Sequence, residues 1–179
     1  MVPYVEYSVE QDVASRKSAS IAAALGLEFM HPYVWHPGLL VAAAIHHGIP
    51  SVEPEVGGMG TVTPEGQKAY RNIVYRFLQH LDLLSADDYK IDAKSSVAKV
   101  IDHSDCIAGH AGFFRSRVAI GQAVHKNDLI GTIHDLAGTC LQEVRAPRPG
   151  SVGILRKFCS VQPGDRLAQL FWEISVNGS

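Results

Sequence analysis

The chain has no sustained basic face. Its 16 lysines and arginines and 18 aspartates and glutamates are scattered, leaving a formal charge of -2. A nucleic-acid binder needs clustered cations to replace the counterions of the phosphates, so nucleic acid is not an expected partner. Long apolar runs are also missing. Gly38 to Ile45 falls far short of the roughly 20 residues of a membrane-crossing helix. The N-terminus lacks a cationic segment followed by an apolar one, so no membrane partner is expected and the chain reads as cytoplasmic. Cysteine is scarce: Cys106, Cys140 and Cys159, an odd number at wide spacing, exclude a disulfide framework and a Cys-x-x-Cys zinc site and point to buried free thiols. His103 lies near Cys106, but a reactive thiol needs a base beside it in space, and a structural thiol is the expectation. What is plentiful is apolar surface. At 46% hydrophobic and 19% charged, the chain can bury the core of one large or two small domains.

The first half has the rhythm of an α/β fold. Glu10 to Leu25 carries Val13, Ala14, Ile21, Ala24 and Leu25 on one side and Arg16, Lys17 and Ser18 on the other, an amphipathic helix that Gly26 stops. A second helix follows Pro37-Gly38 and runs to Gly48, leading into a strand over Ile49 to Val52. Thr63-Pro64 supplies a cap and a first-turn proline for a third helix, through Ala69, Ile73, Phe77 and Leu81. Ser85-Ala86-Asp87-Asp88 is a polar stretch that divides the chain into domains at 1–86 and 87–179.

Beyond it, short apolar runs are cut by turn residues such as Lys126-Asn127-Asp128, Pro147-Arg148-Pro149-Gly150 and Pro163-Gly164-Asp165. That punctuation belongs to a small all-β barrel or sandwich. It also repeats. Val124 to Ile133, with Asp128 and Ile130, aligns with Val161 to Leu170, with Asp165 and Leu167, and Ala108 to Gly112 aligns with Ala146 to Gly150. Two copies of a strand, a tight turn and a second strand predict a pseudo-twofold unit in which each apolar face covers its twin.

One carboxylate stands out. In Ile49-Pro50-Ser51-Val52-Glu53-Pro54-Glu55-Val56-Gly57-Gly58-Met59-Gly60 a strand delivers Glu55 into a glycine-rich turn. Strand ends of open α/β sheets are where ligands bind, and glycines allow other groups to approach the backbone closely. A surface turn that happens to begin with Glu is the alternative. Glu53, one strand period earlier, points to the same face and is secondary.

The tail phrase Ala146-Pro-x-x-Gly150 … Val161-x-x-Gly164-Asp165 resembles the barrel-sandwich hybrid domain of biotinyl and lipoyl carriers. Ala146 to Val152 holds Arg148 but no lysine, so the carrier role does not follow. With the first half included, Glu53-Pro54-Glu55-Val56-Gly57-Gly58, a long helix and a hybrid barrel with Lys126-x-Asp128-x-Ile130-Gly131 resemble the succinylglutamate desuccinylase/aspartoacylase family of zinc deacylases across nearly the whole chain. The resemblance implies a carboxypeptidase-like α/β domain followed by a small β-barrel, and hydrolysis of the amide bond of N-acyl amino acids. Zinc then polarises the acyl carbonyl while a carboxylate moves protons, a role that maps onto Glu55.

The family's His-x-x-Glu and later His zinc ligands lie upstream of the stretch that matches here, so no zinc ligand set is expected in this chain. Among the histidines, His46 and His47 are adjacent on a helix and point about 100° apart. His31 and His36 flank Pro32 to Trp35 in a loop, with no carboxylate at ligand spacing. Hydrogen-bonded or solvated histidine is the expectation for each. Arg115 and Arg117 are candidates to meet a substrate carboxylate, or are simply solvated. The expectation is the C-terminal portion of a deacylase, inactive alone, forming a homo-oligomer or pairing with a metal-binding N-terminal half, because a partial sheet leaves edges exposed. The alternative is a non-catalytic binding or oligomerisation module on the same fold.

Overall fold

The computed structural model describes residues 1–85, 87, 89, 91 and 98–175. The chain forms two compact units: Pro3–Ile101 with the residues from Ile174 onward, and Met1–Val2 with Asp102–Glu173. Two residues of the expected boundary, 86 and 88, lie outside the described residues. The observed division comes later than residue 86, inside a strand, because that strand's first residues pair with the α/β sheet.

The α/β unit contains β1 (Tyr4–Ser8), α1 (Val13–Ala24), β2 (Phe29–Tyr33), α2 (Leu40–His46), β3 (Val52–Glu55), α3 (Pro64–His80) and the start of β4 (Lys99–Ile107). The strand order is β3-β1-β2-β4. β1 and β2 are parallel, joined across α1, and β2 continues parallel into Lys99 and Val100. β3 runs antiparallel on the other side of β1. Val5, Tyr7 and Met30 bury one face of the sheet against Ile21, Ala22 and Leu25 of the α1 segment and Ile73 of α3.

The caps explain the helix starts. The Asp12 carboxylate accepts the Ser15 amide at 2.8 Å, so α1 begins at Val13 rather than at Glu10. Thr63 Oγ1 accepts the Gly66 amide at 3.0 Å with Pro64 in the first turn, as the sequence predicts. Replacing Thr63 by Ala should cost about 1 kcal/mol, the usual worth of such a cap, read as a lower urea midpoint at unchanged slope. A slope change would mean the effect is not local to the helix end.

Two strands depart from expectation. The third covers Val52–Glu55 rather than Ile49 to Val52, because its ladder with Tyr4 to Tyr7 fixes which residues are extended. His31 sits within β2, not in a loop. Pro32 is accommodated because pairing of β2 with β4 is confined to Phe29 and Met30, leaving its missing N–H without consequence. At the outer edge, β3 carries Pro54, which has no N–H, and the Tyr70 hydroxyl donates to the Pro54 carbonyl at 3.1 Å. That edge offers little for another strand to pair with.

The all-β unit contains the rest of β4, β5 (Gly112–Ser116), β6 (Ala123–Val124), β7 (Leu129–His134), β8 (Cys140–Arg145), β9 (Gly150–Leu155), β10 (Ser160–Val161) and β11 (Arg166–Glu173). Its strands run β4-β11-β9-β6 and β10-β5-β7-β8. No closed barrel forms among the described residues. The repeat is present in detail. Asp128 Oδ2 accepts the His125 amide at 2.7 Å, and Asp165 Oδ2 accepts the Gln162 amide at 2.9 Å. Asn127 N donates to Ala146 O as Gly164 N donates to Ala108 O, both at 2.8 Å. Ala146 and Ala108 return amides to the carbonyls of Asp128 and Asp165, both at 2.9 Å. Both turns need a left-handed residue, Asn127 at φ 73° and Gly164 at φ 91°. Each copy sends its apolar residues, Ile130 and Ile133 or Leu167 and Leu170, into one core.

No helix among the described residues is long and apolar enough to cross a membrane.

Candidate functional site

β3 alternates, so Glu53 and Glu55 share one face while Val52 and Pro54 take the other. The antiparallel ladder sets Glu53 opposite Glu6 and Glu55 opposite Tyr4. The parallel ladder sets Glu6 level with His31. Four ionisable groups, Glu55, Glu53, Glu6 and His31, thus occupy one sheet face, opposite to the face covered by α1 and α3. His31 is 5% exposed, and its Nδ1 lies 3.3 Å from Glu6 Oε1. Tyr4, 7% exposed, is a cross-strand aromatic neighbour of Glu55.

This setting changes the carboxyls. Burial raises the Glu55 pKa above the ordinary value, and the neighbouring charges of Glu53 and then Glu6 raise it further. Glu53 is raised by burial and then by Glu6. The cause is physical: a half-buried carboxylate loses hydration, and like charges nearby disfavour its ionised form. A carboxyl so tuned holds a proton more firmly than an ordinary carboxylate and is the better proton acceptor.

The glycine turn serves the backbone. Gly57, Gly58, Met59 and Gly60 all have positive φ, at 87°, 141°, 62° and 63°, a run that only a glycine-rich sequence sustains. A Cβ added at any of the three glycines would meet nothing within 4 Å. The turn is shaped by conformation and not by close approach of another part of the chain, which corrects one reason for singling it out. The other reason also changes. Because β3 is antiparallel, Glu55 sits beside the start of β1, not at the carboxyl end of the parallel strands. The carboxyl end has its own groove of about 630 Å³, lined by Glu10, Trp35, Leu39, Leu40, His46 and His47 among others. The imidazole rings of His46 and His47 lie 5.6 Å apart at 74°.

Several histidine and cysteine expectations need correction. A carboxylate does accompany His31: Glu6, 25 residues upstream, is brought to it by strand register. Even so, among the described residues neither compact unit by itself gathers three side chains of metal-ligand type. All three cysteines are free, but Cys140 and Cys159 are exposed and only Cys106 is buried. Burial, and then the charge of Asp105, push the Cys106 thiol up to about 11, which makes it inert at neutral pH. Arg115, on β5, and Arg117, just after it, are exposed in the all-β unit. Arg115 pairs in register with Thr132, and the Arg117 amide donates to the Ile130 carbonyl at 2.8 Å.

Glu6 and Tyr4 were missed by the sequence reading. The signal was the alternation Tyr4-Val5-Glu6-Tyr7-Ser8, a period-two pattern of a half-buried strand.

No family model matches the chain. Over 120 residues it is 30% identical to the N-alpha-acetyl-L-2,4-diaminobutyric acid deacetylase of Halomonas elongata, covering 65% of this chain and 35% of that one. A succinylglutamate desuccinylase/aspartoacylase from Rhodobacter sphaeroides superposes with a TM-score of 0.83 at 19% identity, covering 97% of this chain and 54% of that one. The product-bound ectoine utilization protein of Ruegeria pomeroyi superposes at 0.79 with 22% identity, covering 95% and 53%. The chain spans about half the length of these solved structures and about a third of the curated relative. Fold and sequence together relate it to the succinylglutamate desuccinylase/aspartoacylase family.

Proposed function

We propose that the chain is part of a deacylase that hydrolyses the amide bond of an N-acyl amino acid, with Glu55 as its proton-transfer group. The observation that carries this reading is the raised Glu55 carboxyl at the end of a half-buried row of acids, in a fold shared with deacylases. Glu55 would take the proton of the attacking water and pass it to the leaving amine. The substrate class is an N-acetylated diamino acid. The curated relative is named for one, and three carboxylates on strands that carry no lysine or arginine suit a free ammonium group.

The family resemblance implies zinc. Among the described residues of the α/β unit taken by itself, no three ligand-type atoms lie within 4.8 Å of one another, and no step is assigned to the metal here. The group that polarises the acyl carbonyl belongs, in this reading, to a metal-binding partner half, the chain being the C-terminal portion and its all-β unit a barrel-sandwich hybrid. A second reading is a binding or oligomerisation module on the same fold.

The test is hydrolysis of N-alpha-acetyl-2,4-diaminobutyrate, N-acetylaspartate and N-succinylglutamate, with zinc content measured in parallel, by the chain alone and with the N-terminal half of a relative supplied. The expected result is little hydrolysis and substoichiometric zinc alone, and turnover with preference for the diamino substrate when the half is added. Absence of turnover in every combination, with the two halves demonstrably associated, would favour the binding module.

A further inference from the structure

Glu10 and Trp35 hold equivalent places at one end of the α/β unit. Each lies two residues beyond a strand, Glu10 after β1 and Trp35 after β2. The strands are parallel with Ser8 level with Tyr33, so the chain leaves the sheet twice, from paths about 5 Å apart. Both residues line the groove of about 630 Å³ at this end, a volume within the roughly 300 to 1,000 Å³ of small-molecule sites. Open α/β sheets bind ligands outside the carboxyl ends of parallel strands, and Glu55 stands at the other end, opposite Tyr4.

Both residues are held in place. The Glu10 amide donates to Ser8 Oγ at 3.3 Å, and Ser8 Oγ lies 2.7 Å from Ser15 Oγ, which donates to Asp12 Oδ2 at 2.7 Å. Trp35 packs against Ala14 and Ile45, and its ring is 5.1 Å from that of Tyr33. Yet each has a polar group left over. The Glu10 carboxylate makes no hydrogen bond or ion pair among the described residues, although Arg16 of α1 lines an adjoining groove with it. Trp35 is 6% exposed, and its Nε1 is the only buried side-chain nitrogen or oxygen among the described residues without a hydrogen-bond partner. An indole N–H shut away from both water and an acceptor is unfavourable, and an acceptor that enters the groove relieves it.

The rest of the lining narrows the ligand. Leu39, Leu40 and Ala42 form an aliphatic wall, His46 and His47 can donate or accept, and no lysine or arginine lines the groove. An ammonium group pairs with Glu10 there, whereas an anion meets its charge. The oxygen that accepts the indole N–H is therefore an uncharged one. Leu40, 85% exposed, is free of tight packing and can change rotamer as a ligand enters.

We propose that this groove is a binding site for an α-amino amide: its ammonium pairs with Glu10, its carbonyl accepts the Trp35 Nε1–H, and its aliphatic side chain lies against Leu39, Leu40 and Ala42. Binding here uses none of the groups assigned to hydrolysis.

The experiment follows the indole N–H signals of Trp35 and Trp172 in the ¹⁵N-labelled full chain, with Trp172→Phe leaving the Trp35 signal alone. At pH 7, where its amino group is charged, leucinamide is expected to move the Trp35 signal downfield to saturation and to leave that of Trp172 in place. N-acetylleucinamide, which lacks the ammonium, and leucine, which carries a carboxylate instead of the amide, should each bind about tenfold more weakly or worse, the worth of one charge-assisted hydrogen bond. Glu10→Gln should weaken leucinamide to the same extent while the Trp35 signal of the free chain keeps its position, which shows the fold intact. Trp35→Phe keeps an aromatic ring without the donor and, by calorimetry, should also bind more weakly. Leu-Gly-Gly carries the same ammonium and first carbonyl: equal affinity assigns the site to peptide amino termini, and a clear loss assigns it to free amides. An unmoved Trp35 signal at millimolar leucinamide, or equal affinity for leucinamide and N-acetylleucinamide, would overturn the proposal.

Discussion

Replacing Glu55 by Gln is expected to lower amide hydrolysis by about 10²- to 10⁴-fold, the range a positioned general acid–base group supplies, while making the fold more stable at neutral and alkaline pH. The two effects have one cause. Glu55 is held half-buried beside Glu53 and Glu6, which raises its pKa. A carboxyl whose folded pKa lies above its unfolded value stabilises the fold below the unfolded value, and that contribution is lost as pH rises through the folded one. Wild-type stability should therefore decline as pH climbs upward from the ordinary carboxyl value of 4.5. The Gln variant, with no charge to bury there, escapes Glu55's share of the decline. The difference between the two proteins should vanish in acid, where Glu55 is protonated in both folded and unfolded chains. Urea midpoints at several pH values, compared with turnover in the reconstituted protein, measure both. Full activity in Glu55→Gln would remove Glu55 from the mechanism. A variant less stable than wild type at pH 8 would mean that the charged carboxylate is a net asset to the fold. A residue whose charge costs stability is typical of a site kept for chemistry.

The second large effect lies in the all-β unit. Ile133→Ala and Leu170→Ala should each cost about 2 to 5 kcal/mol, the usual loss for a large-to-small change in a packed interior. Both side chains are fully buried, at 0% exposure, and they hold matching places in the two copies of the repeat, so the two losses should be similar. Thermal and urea unfolding of the single variants tests this. A loss under 1 kcal/mol at one position and a large one at the other would mean that the copies share backbone pattern but not packing weight. Because the chain has two compact units, the transition should be followed by a probe in each, so that loss of cooperativity is not mistaken for loss of stability.

How far the sequence reaches is clearest in these copies. The turn Lys126-Asn127-Asp128 and its twin Pro163-Gly164-Asp165 were legible because their chemistry is local: a carboxylate caps an amide three residues back, and a neighbouring residue takes a left-handed conformation. The caps at Thr63 and Asp12 are local in the same way, although only the first was read in advance. The glycine turn after Glu55 was visible too, and its positive φ values account for its composition.

The site was legible only in part. Glu55 could be picked out by its turn and by family resemblance, and Glu53 by its spacing. Glu6, Tyr4 and the partner of His31 could not, because nothing near them in the chain names their neighbours. The antiparallel direction of β3 is a property of the sheet, and it moved Glu55 from the expected carboxyl end of the strands to the start of β1.

By itself, then, the sequence determined the helix capped by Thr63, the repeated turns and a carboxylate worth attention, all of which rest on residues within a few positions of one another. Only the tertiary structure decided which acids stand together. A one-residue slip in the pairing of β1 with β3 would turn Glu6 away from Glu53 and Glu55. That register is set by burial of Val5, Tyr7 and Met30 against the helices, a cooperative property of the packed sheet that no local stretch of the chain contains.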